Sequence, residues 1–241
     1  MRPLIVAPMP REARAVGHGA TICSRPDAAR VIEAAHRANS IDVLLIAGVC
    51  GGLDPSLAPG DVILARAVTR IDGAELLPDG RLFATVRRSL RDGGARFVSS
   101  KLLSVDKPLD SRRERTQLWN THGAGGIDME TYDITEVAAR LGIPWIAIRA
   151  VVDPSSTRLP ATLRAWRPET TDRQVVRSLA VRPWEWPAAA RLAWQMRKAC
   201  SGLRAAVDLA IPAIERLQAE LLAIDLMPVG APSARAELIA P

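Results

Sequence analysis

The sequence predicts an α/β sandwich, and three observations carry that expectation. Continuous aliphatic runs recur at residues 4–7, 42–47 (DVLLIA) and 145–152 (WIAIRAVV). Apolarity without alternation marks strands buried on both faces, beneath helices on either side. Helical patterns separate these runs, and strand–helix alternation along a chain is the signature of a layered α/β domain. The 241 residues, 48% of them hydrophobic, can bury one sizeable core, which excludes a disordered chain, a collagen-like rod or a disulfide scaffold.

The elements follow in order. Residues 4–7 read as a buried strand. Residues 27–38 read as a helix with Ala28, Val31, Ile32 and Ala35 on one face. The strand at 42–47 is ended by Gly48. The turn signal Pro59-Gly60 introduces a strand at 61–68, residues 97–103 form another, and residues 111–120 form a helix. Gly123-Ala124-Gly125-Gly126 breaks the chain. Residues 131–141 make the strongest amphipathic helix, with Ile134, Val137, Ala138 and Leu141 at i, i+3, i+4 and i+7, closed by Gly142 and Pro144. Beyond Pro160 the chain reads as helical. Residues 188–210 suit one long helix, which Pro212 kinks or interrupts before a second stretch at 213–223. Residues 1–225 are expected to form a single domain, helical from about 160, and the Pro- and Ala-rich residues 226–241 a flexible tail.

The charge balance narrows the partners. Basic residues exceed acidic ones by 32 to 26, and only Lys101, Lys107 and Lys198 are lysines. No basic block is long enough for a nucleic-acid arm. Aromatics at 4% supply few stacking platforms, so nucleic acid is not an expected partner. Cys23, Cys50 and Cys200 stand apart, without a CxxC, and His18, His36 and His122 are scattered. This pattern argues against a disulfide framework or a metal site, and for free thiols in a reducing compartment. The chain start lacks the pattern of a secretory signal, and no run approaches the ~18 apolar residues of a membrane span. A soluble cytoplasmic protein is expected.

Four segments bring chemistry-bearing residues to strand ends. The run Val49-Cys50-Gly51-Gly52-Leu53 follows a buried strand and is either a tight exit loop or a place where backbone approaches a ligand. It matches neither the dinucleotide fingerprint nor a Walker loop. In Asp128-Met129-Glu130, Glu130 opens a helix; a carboxylate there either complements the helix dipole or, being a pure acceptor, grips a pair of sugar hydroxyls. In Arg149-Ala150-Val151-Val152-Asp153, burial would raise the Asp153 pKa and suit it to proton donation. Residues 149, 151 and 153 share a strand face, so Arg149 could instead pair with Asp153 and hold it ionised. Glu12, after the first strand, is either a surface charge or a ligand for a water molecule.

These segments together resemble the purine nucleoside phosphorylase and nucleosidase superfamily. The resemblance is carried by Gly51-Gly52-Leu53, Pro59-Gly60-Asp61, Asp128-Met129-Glu130 and the Arg-Ala-x-x-Asp run ending at Asp153, and it covers about residues 3–155. It implies a three-layer sandwich around a central mixed, twisted sheet, with a helical C-terminal extension. It implies cleavage of a purine N-glycosidic bond without a metal or organic cofactor. Asp153 would be the general acid at the base, and Glu130 would hold the ribose hydroxyls with Met129 packed on the sugar. Gly51, Gly52 and Val49 would line the sugar and nucleophile side, and Glu12 would position an attacking water. Asp153 and Glu130 must then face a shared hollow.

Phosphorolytic relatives carry an Arg and a Ser or Thr where this chain has Ile46 and Val49. Water is thereby favoured over phosphate, unless Arg11, Arg14 or Arg25 holds the latter. The family's Ser-Gly-x-Gly segment is Ser24-Arg25-Pro26-Asp27 here, and Val152 precedes the acid where Ser is usual. Ser104-Val105-Asp106-Lys107-Pro108, Leu159-Pro160 and the Pro/Trp-marked C-terminal region are similar to hopanoid-associated phosphorylases. That resemblance implies adenosylhopane as substrate and adenine as product; the Trp residues and the basic balance raise peripheral contact of a cytoplasmic enzyme with the inner membrane. An ordinary nucleosidase for small adenosine thioethers and a catalytically impaired nucleoside-binding protein remain the alternatives. Trp166, Trp184, Trp186 and Trp194 are either core and lid packing or an apolar mouth for a lipid tail or membrane interface. The resemblance also implies a homo-oligomer.

Overall fold

The computed structural model describes residues 3–109, 111–156 and 182–225. Eight strands are present among these residues: β1 (Pro3–Ala7), β2 (Thr21–Ile22), β3 (Val43–Gly52), β4 (Val62–Arg70), β5 (Glu75–Leu76), β6 (Phe97–Ser104), β7 (Ala124–Asp128) and β8 (Trp145–Asp153). The helices are α1 (Pro10–Val16), α2 (Ala28–Arg37), α3 (Gly80–Asp92), α4 (Arg112–His122), α5 (Thr131–Arg140) and α6 (Trp186–Asp225). The sheet is mixed. β1 is parallel to β2 and β3, β3 is parallel to β8, and β4 is parallel to β6 and antiparallel to β8. β7 runs parallel to β6 and antiparallel to the end of β3. Strands β3, β8, β4, β6 and β7 thus close a ring, which adds a barrel-like half to the expected sandwich.

Alternation along the central strands builds the two cores. From β3, Val43, Leu45 and Ala47 point to the face covered by α3 and α6, with Ala199, Leu203, Val207 and Ile214 of α6 packed there. Leu44 and Ile46 point to the face covered by α2 and α5, against Ile32, Ile134 and Ala138. Helix α3 is an addition to the elements expected from the sequence. Its signals are Asp79, whose carboxylate accepts the Leu82 amide at 2.8 Å, and Leu82, Val86 and Leu90, all buried one turn apart.

Four expectations change. The glycine-rich segment after Ala47 is strand, because β3 continues to Gly52 by pairing with both β8 and β7. Residues 124–126 do not break the chain. They belong to β7, where a Cβ on Gly126 would stand 2.6 Å from Ile63 and 3.0 Å from the Cys50 sulfur. Pro212 lies inside one continuous helix of 40 residues. Helix α6 can pass over the sheet because Gly202 meets the Gly60 carbonyl, 2.4 Å from where a Cβ would sit. Finally, Arg149 does not pair with Asp153. The register of β8 against β3 jumps from Val151 to Asp153, so regular alternation stops before the acid. The start of the C-terminal helical region near 160, Leu159-Pro160, Trp166 and the tail at 226–241 lie outside the described residues.

Candidate active site

Arg149 is fully buried and sits at the centre of a carboxylate cluster beside Gly48. Its Nη2 lies 3.0 Å from Asp128 Oδ2, and its Nε and Nη2 donate to Thr131 Oγ1 at 2.9 and 2.6 Å. Asp128 ends β7 and is held by Ser104 Oγ at 2.6 Å and by the Thr131 hydroxyl. Gly48 makes room for the guanidinium, because a Cβ there would fall 2.0 Å from Arg149 Nη1 and 3.1 Å from Glu12 Oε1. Among the described residues, that Nη1 is buried without a hydrogen-bond acceptor.

Glu12 enters the cluster from α1. Met9 caps this helix and Pro10 starts it, so Glu12 falls at the third helical position and turns back to accept the Met9 amide at 2.8 Å. Its other oxygen accepts the Val49 amide at 2.8 Å. The side chain is buried rather than a surface charge. Burial pushes its pKa up, against the opposing pull of Arg149 and the two amides. Glu130, at the start of α5, is likewise pushed up to about 7, by burial first and the Asp128 charge second, with Arg149 opposing. Three carboxyls therefore share one guanidinium.

Asp153 occupies a separate place at the end of β8. It is bound by Arg115 of α4, whose Nη2 donates to its Oδ2 and, at 3.0 Å, to the Leu109 carbonyl. Burial raises the Asp153 pKa although the Arg115 charge and hydrogen bond oppose it. Its other oxygen, Oδ1, lies 3.5 Å from where a Gly51 Cβ would be. Gly48 and Gly51 are three residues apart on β3, about 10 Å along the strand. Cys50, between them, is buried and feels the charges of Asp128, Arg149, Asp153 and Glu12; burial keeps it a neutral thiol.

Comparison with known proteins identifies the family. The family model described as the phosphorylase superfamily matches residues 11–181. The chain belongs to the phosphorylase superfamily. Among curated relatives, the 5′-methylthioadenosine/S-adenosylhomocysteine nucleosidase of Mycobacterium bovis is 27% identical over 46% of this chain and 58% of its own. That of Shewanella halifaxensis is 24% identical over 49% of this chain and 60% of its own. The chain thus spans about three-fifths of the length of the curated relatives it matches. Among solved structures, the fold is shared with futalosine hydrolase of Helicobacter pylori (TM-score 0.62, 14% identity, 86% of this chain and 97% of that one). It is also shared with the H. pylori 5′-methylthioadenosine/S-adenosylhomocysteine nucleosidase (TM-score 0.66, 12% identity, 90% and 98%).

Within this superfamily member, Glu12 and Glu130 come together around Arg149, and Met129 lies between Asp128 and Glu130, packed on the small cluster of Leu53, Leu103 and Ile127. Gly51 and Gly52 are paired strand residues flanked by Ile127, Val151 and Asp153. Val49 contributes its amide to Glu12 and turns its side chain to the core. Among the arginines considered for phosphate, Arg11 and Arg14 are exposed, and Arg25 is paired with Asp106 at 2.7 Å and Asp133 at 2.8 Å. Arg149, Asp128 and Arg115 are additions to the expected site residues. Asp128 and Arg149 stand within the motifs quoted above, whereas Arg115 sits on a polar helix whose sequence offers no marker of its contact across 38 residues to Asp153.

Proposed function

We propose that the protein hydrolyses the N-glycosidic bond of a purine nucleoside and releases the base. The observation that carries this reading is the surplus of acid around Arg149. Glu12, Asp128 and Glu130 gathered around one guanidinium repel a phosphate dianion and suit a water molecule. Apolar Ile46 and the core-directed Val49 point the same way. The relatives named as nucleosidases support it.

The chemistry assigns each group a part. As the bond from C1′ to the purine N9 breaks, the sugar becomes oxocarbenium-like and the base gains negative charge. Glu130 accepts hydrogen bonds from the ribose hydroxyls and, when ionised, stabilises the cationic sugar. Water adds to C1′ and passes its proton to Glu12, whose raised pKa makes it a stronger base near neutrality. Asp153, raised by burial, delivers its proton to the purine at N7. Proton exchange with solvent restores both carboxyls. No metal or organic cofactor is needed for these steps.

The substrate is proposed to be an adenosine with an apolar 5′ substituent, adenosylhopane in the finer reading. Trp184 and Trp194 are exposed near and on α6, and Lys198 stands 4.3 Å from the Trp194 ring. Such a Trp and cation set suits a lipid tail or an anionic membrane surface. Among the described residues no helix is long and apolar enough to cross a membrane. The proposed contact is peripheral, from the cytoplasmic side. A homo-oligomer is proposed from the resemblance alone.

Adenine release from adenosines with small, alkylthio and long apolar 5′ groups tests the reading. Release is expected without phosphate, unstimulated by it, and to fall about 10²–10⁴-fold in Asp153→Asn with the fold intact. Phosphate-dependent release would overturn the hydrolytic assignment. Absence of release from every analogue would favour a nucleoside-binding protein.

A further inference from the structure

Helix α4 buries one residue among those described, and it is an arginine. Arg112, Arg113, Glu114, Thr116 and Gln117 are exposed, whereas Arg115 is 3% exposed. Burying a guanidinium is unfavourable unless its donors find partners. Arg115 meets this only in part. Nη2 serves the Asp153 carboxylate and the Leu109 carbonyl, Nη1 lies 3.3 Å from the Asp153 carbonyl and 3.4 Å from that of Pro154, and Nε is left without an acceptor among the described residues. A residue placed simply to tie the segment at 105–109 to the sheet could do so through carbonyls alone. This one is aimed at a carboxylate and takes only one of its two oxygens.

We propose that Arg115 is the positioning residue for Asp153. Its guanidinium takes Oδ2 and leaves Oδ1, the oxygen beside Gly51, as the one that carries the proton delivered to the nucleobase. The proposal rests on the function proposed above. In the step, the Oδ1–H bond breaks, the proton goes to the purine nitrogen as the C1′–N9 bond breaks, and the carboxylate left behind lies against the Arg115 charge. Arg115 therefore both orients the acid and stabilises its spent form. Burial and Arg115 act on Asp153 in opposite directions, and burial prevails while Arg115 tempers it. The buried Cys50 of β3, a neutral thiol, feels the Asp153 charge, and the apolar Ile127 of β7 stands beside Gly51.

The test reads Asp153 directly. In full-length protein with ¹³C-carboxyl aspartate, the resonance that disappears in Asp153→Asn reports its titration. In Arg115→Gln this titration is expected about one pH unit or more above wild type, since an adjacent opposite charge lowers a carboxyl by about 1–3 units. The alkaline limb of kcat/KM for base release moves up with it. Arg115→Lys keeps the charge but not the planar fork. It is expected to titrate near wild type while kcat falls about tenfold or more. An unchanged Asp153 titration in Arg115→Gln, or wild-type kcat in Arg115→Lys, overturns the proposal, and the lysine variant decides alone if the glutamine variant does not fold. If wild type releases no base, the proposed function fails, while the titration still shows whether Arg115 governs Asp153.

Discussion

Two buried guanidinium sites lie along β3, and they solve the same problem differently. Beside Gly48, Arg149 faces Asp128, Glu12 and Glu130; beside Gly51, Arg115 faces Asp153 alone. Each arginine has one buried nitrogen without an acceptor among the described residues, so neither site is a fully matched structural network. With three acids to one base, the first site cannot hold every carboxyl ionised in low dielectric, and protons must be shared. With one to one, the second can fix a single carboxyl in a single orientation. The contrast separates a place suited to accepting a proton from water from a place suited to handing one over.

The largest effect that would break this comparison is on stability. Arg149→Met removes the one cation from the buried Glu12 and Asp128 and the half-buried Glu130 and is expected to cost about 3–5 kcal/mol at pH 8, by urea unfolding. The loss should shrink toward pH 5 as Glu12 and Glu130, both raised, take up protons. Arg115→Met, which strands only Asp153, should lose less. Equal losses with the same pH dependence would mean that the number of acids does not distinguish the two sites.

Activity sharpens the comparison within the first site. Glu12→Gln is expected to reduce kcat about 10²–10⁴-fold, because the amide cannot take a proton from water. Val49→Ala should change it less than about tenfold, because Val49 serves Glu12 through its main-chain N–H at 2.8 Å and that donor is kept. Steady-state base release by the two purified variants checks the pair. Similar losses would place the nucleophile against the Val49 side chain instead.

How much of this is legible in the sequence depends on whether the signal is local. The buried strands at 43–47 and 145–152 and the helix from Thr131 announce themselves because continuous apolarity and 3.6-residue spacing are properties of adjacent residues. Glu130 and Asp153 stand out by their place at strand and helix ends. The strand character of residues 48–52 and 124–126 stays hidden because glycine usually punctuates. Here it admits a guanidinium, a sulfur or a neighbouring chain into the sheet, which only the closed ring reveals. The Arg149–Asp128 pair is hidden for a similar reason. Strand alternation points Arg149 toward Asp153, and the register jump at the end of β8 undoes that inference. Arg115 has no local signal at all, since a charged residue on a polar helix looks the same whether it meets water or a buried acid.

The smallest effect concerns the proton held at Glu130. Its carboxyl sits at about 7 in the folded protein and near 4.3 in an unfolded chain, so between these values the folded state keeps a proton that the unfolded state has lost. This contribution to stability is complete below the unfolded value and disappears as pH rises through about 7. Wild type should therefore lose stability between pH 5 and 8 relative to Glu130→Gln, whose side chain does not titrate, by on the order of 2 kcal/mol in urea unfolding. Parallel stability curves for the two proteins would show that Glu130 is ionised throughout and that Glu12 carries the shared proton. The same titration has a counterpart in binding. An ionised Glu130 is the better acceptor for ribose hydroxyls, so KM should fall as pH rises through about 7, while the acid at Asp153 becomes less protonated in that direction. Affinity gained and kcat lost over the same rise in pH are what a site divided between a sugar-side cluster and a base-side pair should produce; affinity and kcat declining together would mean that the two carboxyls titrate as one unit across the ~10 Å of strand between Gly48 and Gly51.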